Sequence, residues 1–196
     1  MTGVAGAAAA IRAGELAIVP TDTVYGLATS PHREEFTRRL YAAKGRSDVQ
    51  PTAIVASSVA ALRELLPELD PRADALLPGA FTLVVANPAR RFPWLTGTTP
   101  EAIGVRVPAV TGVARELLDR AGALVATSAN LPGGPDPRAL ADVPRALRDA
   151  AAAELDAGPL PGTPSTVLDL TGPEPRVLRE GAVPAGDALR AIPPVL

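Results

Sequence analysis

"AIVPTDTVYG" (Ala17 to Gly26) runs from an apolar stretch straight into Thr21, Asp22, Thr23 and Tyr25, and stops at a glycine. Extended back to "ELAIVP", the apolar part shows no alternation, which suits a strand buried on both faces. The polar part has the composition of a turn, but it also gathers groups that bind ligands. The same plan recurs in "ALVATSANLPGG" (Ala123 to Gly134), which supplies Thr127, Ser128 and Asn130. In open α/β sheets ligands sit beyond the carboxyl ends of strands. Two such loops side by side would surround one pocket with short hydrogen-bonding side chains.

Outward from these loops, apolar runs alternate with helical patterns. "VAGAAAAIRAGE" reads as a short helix closed by Gly14, and "REEFTRRLYAAKG" as a helix with Phe36, Leu40 and Ala43 on one stripe and Gly45 as its stop. "TAIVAS" and "FTLVVA" read as strands, and "SVAALRELLPEL" and "TGVARELLDRAG" as helices. "IGVRVP" alternates, with Ile103, Val105 and Val107 on one face and Gly104 and Arg106 on the other. Arg106 therefore either reaches solvent or points into a site. "DPRALADVPRALRDAAAAEL" has the signals of a helix with Asp136 as N-cap and Pro137 at its first position. "STVLDL" and "PRVLREG" close the chain as two strands joined by "TGPEP". The pattern predicts an α/β fold: an open, twisted, mixed sheet flanked by helices, in one domain spanning 1–196.

Composition narrows the chemistry. Among 196 residues there is no cysteine, which excludes disulfides and thiolate nucleophiles, and one histidine, His32, which excludes multi-histidine metal sites. His32 lies at the helix start "SPHREE" and reads as a surface residue. The net charge of −2 gives no general attraction to nucleic acid or anionic lipid. A basic n-region and any apolar run near membrane-spanning length are both missing, so the expected location is the cytoplasm. Neither a P-loop nor a G-x-G-x-x-G fingerprint occurs. The hydroxyls and arginines point to an anionic ligand held by hydrogen bonds, not to a covalent nucleophile.

Lys44 is the single lysine beside 18 arginines. A cation in a helix's last turn meets the macrodipole favourably, but an arginine would serve that purpose equally. A compact ammonium with three donors is what a phosphate or carboxylate intermediate would require. Arg179 in "VLREG" and Ser165 in "GTPST" add a further cation and hydroxyl beside the closing strands.

In order along the chain, "PTDTVYGLA", "AAKGR", "LLPGAFTLVV", "GVRVP", "ATSANLPGG", "PSTVLDL" and "VLREGAV" resemble the motifs of the YrdC-like family of threonylcarbamoyl-adenylate synthases. The resemblance covers about residues 5 to 183. The family's K-x-R and S-x-N pairs correspond to Lys44-Gly45-Arg46 and Ser128-Ala129-Asn130. It implies a sheet with a concave, basic face and a reaction of L-threonine, bicarbonate or CO2, and ATP with Mg2+, giving threonylcarbamoyl-AMP and pyrophosphate for tRNA modification. A separate transferase assembly would use that product, and no membrane is involved. It further implies that Lys44, Arg46 and Arg179 hold phosphate and carbamate oxygens while Ser128 and Asn130 orient the carbamate and adenylate. Thr23, Arg106 and Ser165 would hold threonine, with Thr21 and Tyr25 lining that pocket.

The chain departs from the family pattern at Ser47 and Gln50, in "PT" after them, in "PGAFT" (Ala80 and Phe81), and in lacking a histidine in "TAIVAS". These departures leave substrate preference open. The long members' additional C-terminal domain has no counterpart after "EGAV", which gives the short form. Two other functions are left open: a paralogue that binds RNA or nucleotide without synthesis, and a carbamoyl-transfer domain like those of hydrogenase-maturation proteins.

Overall fold

The apolar runs pair edge to edge. The computed structural model describes residues 3–47 and 50–192; Asp48, Val49 and both ends of the expected 1–196 span lie outside them. In chain order the elements are α1 (Val4–Arg12), β1 (Ala17–Val19), β2 (Gly26–Thr29), α2 (Glu34–Lys44), β3 (Ala53–Val55), α3 (Val59–Leu65) and α4 (Ala73–Leu76). They continue with β4 (Phe81–Ala86), β5 (Ala102–Arg106), α5 (Gly112–Ala121), β6 (Leu124–Ser128), α6 (Arg145–Ala150), β7 (Ala153–Glu154), β8 (Thr166–Asp169), β9 (Arg176–Arg179) and α7 (Ala185–Arg190). The strands form one sheet in the order β7-β1-β2-β6-β3-β5-β4-β8-β9. It is mixed: β1–β7, β3–β5 and β4–β8 pair in parallel and the remaining neighbours antiparallel.

Alternation along the strands gives the two faces different fates. One face presents Ile18, Leu27, Ile54, Val105, Leu83 and Leu168 to α2, α3, α4 and α6 and is apolar throughout. On the other face α1 and α5 pack together through Ala7, Ala8, Ile11, Leu117 and Leu118 over Ala17, Val19, Ala28, Val55 and Leu124. That second core contains nothing from β4, β5, β8 or β9. Half of this face therefore carries no helix. Its floor is made of small residues, and a Cβ added at Gly104 would stand 3.2 Å from Ala53 Cα.

Several local expectations are corrected. The stretch from Asp136 does not form one helix: a short 3-10 turn covers Leu140–Asp142, and α6 begins only after Pro144. Proline lacks the N–H that a helix interior needs and disfavours helical geometry in the residue before it. Asp142 Oδ2 meanwhile accepts from the backbone N–H groups of Arg138 and Ala139. In α2 the buried stripe is Thr37, Leu40, Tyr41 and Lys44, with Phe36 and Ala43 only half-buried. The lone lysine thus belongs to the buried face. β2, α4, β7 and α7 are too short for a periodic signal.

Tyr25 is also elsewhere than expected. Its ring is 0% exposed in the apolar core opposite the open face, not in the lining of a pocket. Its hydroxyl meets Asp156 Oδ1 at 2.8 Å and the Gly158 carbonyl at 2.9 Å, and accepts from Ala157 N–H at 2.9 Å. Burial pushes the phenol up to about 12, the Ala157 bond opposes this, and the neighbouring Asp156 adds to it. Tyr25→Phe should cost about 1–2 kcal/mol, read as a melting temperature lower by roughly 2–8 °C, with ligand binding intact.

Candidate active site

The uncovered half of the sheet forms the floor of a cavity of about 640 Å³, within the usual range for small-molecule sites. Eight threonines, two serines and four arginines (Arg46, Arg106, Arg176 and Arg179) line it, against two carboxylates, Asp136 and Asp169. Arg106 and Gly104 lie on this face, so the residue set apart by alternation in "IGVRVP" points into the cavity. The expected basic concavity is present.

One wall is the β1–β2 loop. Although β6 and β3 separate β2 from β5, this loop reaches Arg106: the NH2 group of Arg106 donates to Asp22 Oδ1 and, at 2.8 Å, to Thr23 Oγ1. Asp22 Oδ2 accepts from Ala109 N–H at 3.0 Å, tying the β1–β2 loop to the segment after β5. Thr21 does not reach the cavity lining. Its hydroxyl donates to the Val24 carbonyl at 2.7 Å and accepts from the Thr23 and Val24 N–H groups, so it shapes the turn that presents Thr23.

The second wall is the loop after β6, held by Lys44. Lys44 is 6% exposed, and its ammonium donates to the carbonyl oxygens of Ser128 and Asn130 and to Asn130 Oδ1. Ser128 Oγ donates to the same Oδ1 at 2.7 Å, and Asn130 Nδ2 donates to the Gly134 carbonyl at 2.7 Å. The two sequence pairs are therefore brought together, but Lys44 and Asn130 act within the wall while Ser128 lines the cavity. Burial, the larger cause, and the Arg46 charge together lower the Lys44 pKa from 10.5 to about 8, with Asp136 opposing them.

Arg46 lines the cavity, donating to Thr127 Oγ1 at 3.0 Å and to the Pro51 carbonyl. Arg179 donates to the Ser165 carbonyl at 2.7 Å, and Ser165 Oγ pairs with Thr82 Oγ1 at 2.8 Å. Arg46 and Arg106 each retain a buried Nε–H without an acceptor, and Thr52 Oγ1 is likewise without a partner.

A family profile named for Sua5, YciO and YrdC and described as "Telomere recombination" matches residues 9–181. The chain belongs to the Sua5/YciO/YrdC family. A Mycobacterium tuberculosis relative, provisionally named as a threonylcarbamoyl-AMP synthase, is 37% identical over 186 residues, covering 92% of this chain and 85% of that protein. The Bacillus subtilis threonylcarbamoyl-AMP synthase is 32% identical over 187 residues, covering 92% of this chain but 54% of its own length. Among solved structures, Pyrococcus abyssi Sua5 complexed with L-threonine aligns with a TM-score of 0.88 at 32% identity, over 96% of this chain and 57% of that one.

To the residues given roles from the sequence, the structure adds Asp22, Thr52, Thr82, Asp136, Asp169 and Arg176. Alternation could have found Asp169, which lies one pleat from Val167 on the cavity face just as Arg106 lies one pleat from Gly104. Asp22 stands inside the opening loop, where the sequence counted it among the polar groups but gave it no role of its own.

Removing the Lys44 ammonium strands three oxygens in a buried wall. Lys44→Ala should lower turnover on the order of 10²-fold, with folded circular dichroism retained. Lys44→Arg should not rescue it, because a planar guanidinium cannot point three donors at one spot. The ammonium is present below about pH 8 and lost above it, so turnover should fall on the alkaline side. Stability moves the other way: between about 8 and 10.5 the unfolded chain binds more protons at this group, so its contribution to stability rises with pH. A pH–rate profile beside a pH–melting profile checks both.

Proposed function

We propose that this protein is a threonylcarbamoyl-AMP synthase acting in the cytoplasm on L-threonine, bicarbonate or CO2, and ATP. The observation that carries the reading is the match over nearly the whole chain to a Sua5 complexed with L-threonine, joined to a cavity of arginines and hydroxyls at the corresponding motifs. Among the described residues no helix is long and apolar enough to cross a membrane.

The reaction requires little covalent chemistry from the protein. The threonine amine takes up CO2 to give a carbamate, a carbamate oxygen attacks the α-phosphorus, and pyrophosphate leaves. Such a displacement depends on alignment and on neutralising growing negative charge, which suits a cavity without cysteine or histidine. Arg106, with its planar fork, takes the threonine carboxylate, and Thr23 and Ser165 supply hydroxyls beside it. Arg46 and Arg179 face the phosphates. Lys44 holds Ser128 and Asn130 in place, so that the Ser128 hydroxyl is fixed where the carbamate and adenylate meet.

Mg2+ arrives with the phosphates of ATP and would neutralise part of their charge. Among the described residues no three His, Cys, Asp or Glu side chains form a metal cage. The cavity carboxylate Asp136 fits as one oxygen donor beside the phosphates' own. The adenylate then serves a transferase assembly that modifies tRNA.

Pyrophosphate release from Mg-ATP and bicarbonate should depend on L-threonine. Absent release from a folded protein that still binds ATP or RNA would replace this reading with a non-catalytic binding protein.

A further inference from the structure

The four arginines of the cavity are not electrically equivalent. Arg106 is paired with Asp22, their side chains being 12% and 7% exposed. Arg176 is paired with Asp169, a carboxylate that also accepts from the Thr171 N–H and hydroxyl. Arg46 and Arg179 donate to neutral oxygens, those of Thr127, Pro51 and Ser165. Among the described residues neither of these two forms an ion pair with a carboxylate. Among the described residues the cavity is thus divided into cations paired with a carboxylate and cations that are not.

We propose that Asp22 is a specificity-determining residue: by compensating Arg106 it reserves that end of the cavity for a zwitterionic amino acid and excludes polyphosphate from it. This rests on the synthase reading and adds a means by which one cavity keeps two anionic substrates in their own places. A phosphate seated on Arg106 would bring more than one negative charge beside the Asp22 carboxylate, at a site shielded from solvent where such repulsion is poorly screened. An amino acid brings one carboxylate for the guanidinium and an ammonium that the same carboxylate tolerates. Geometry supports the division. Asp22 cannot swing away, because its second oxygen is held by Ala109 N–H, and Thr23 shares the same NH2 group of Arg106. Polyphosphate is left with Arg46 and Arg179.

Displacement of labelled L-threonine and, separately, of labelled ATP by inorganic pyrophosphate tests the proposal. In the wild-type protein pyrophosphate should displace ATP at far lower concentration than it displaces threonine. In Asp22→Asn, which removes the charge and leaves one accepting oxygen for Arg106 at the cost of the Ala109 bond, the midpoint for threonine displacement should fall about tenfold or more. The midpoint for ATP should stay. If Asp22→Asn no longer holds threonine, calorimetry decides: tighter pyrophosphate binding, reversed by adding Arg106→Gln, upholds the proposal, and unchanged binding overturns it. Equal threonine midpoints in wild type and Asp22→Asn, or threonine and ATP midpoints falling together, also overturn it while leaving the synthase reading intact. A wild-type protein that holds no threonine sinks the synthase reading itself and this proposal with it.

Discussion

Two helices on one face of a nine-stranded sheet cannot cover it, and the rest of the molecule is arranged around that shortfall. The face opposite is closed by apolar packing from α2, α3, α4 and α6, and such burial supplies most of the drive to fold. On the face of α1 and α5 the strands β5, β4, β8 and β9 must meet solvent or ligand. Leucines there would leave an exposed apolar patch. The chain instead places Gly104, Ala102, Ala53 and Thr82 on the floor and arginines around it.

The surviving lysine has a geometric cause. Three oxygens converge on one point behind the cavity wall, two of them backbone carbonyls fixed by the course of the chain. A tetrahedral ammonium offers three donors to such a point; a guanidinium offers its donors in a plane and needs more room. The same crowding explains the lowered basicity, since burial without a direct carboxylate partner disfavours the charged form. Arg46, close by, is lowered for the same reason. Charge is thus concentrated and poorly solvated on this side of the cavity, a setting that strengthens its interaction with an incoming anion.

The fold class and most long elements were legible because both periodicities are clean. β5 alternates along its whole length, and α5 carries Ala114, Leu117, Leu118 and Ala121 as one buried stripe. Legibility failed where tertiary contacts decide. Nothing local in "GLAT" announces a strand, yet β2 is held between β1 and β6. Helical spacing in α2 put Phe36 on one stripe with Leu40 and Ala43, whereas the buried face is Thr37, Leu40, Tyr41 and Lys44. In the opening loop, composition pointed to a pocket wall but could not assign directions: Thr23 turns into the cavity, Thr21 into its own turn, and Tyr25 through the sheet to the opposite core. The Asp22–Arg106 contact spans 84 positions in sequence, and no periodicity encodes a pairing of that reach.

The sheet ends at β9, which bonds to β8 alone and does so with a register shift at Val167 and Leu168. Two of the cavity's four arginines stand on this strand, beside Leu178, which is 57% exposed. The other rim is cross-braced by a lysine with three acceptors and by an arginine gripped from a distant loop. Edge strands sit at the low end of a protein's range of local stability. The cavity therefore has one rim tied together by segments far apart in sequence and one rim built on a strand with a neighbour on a single side.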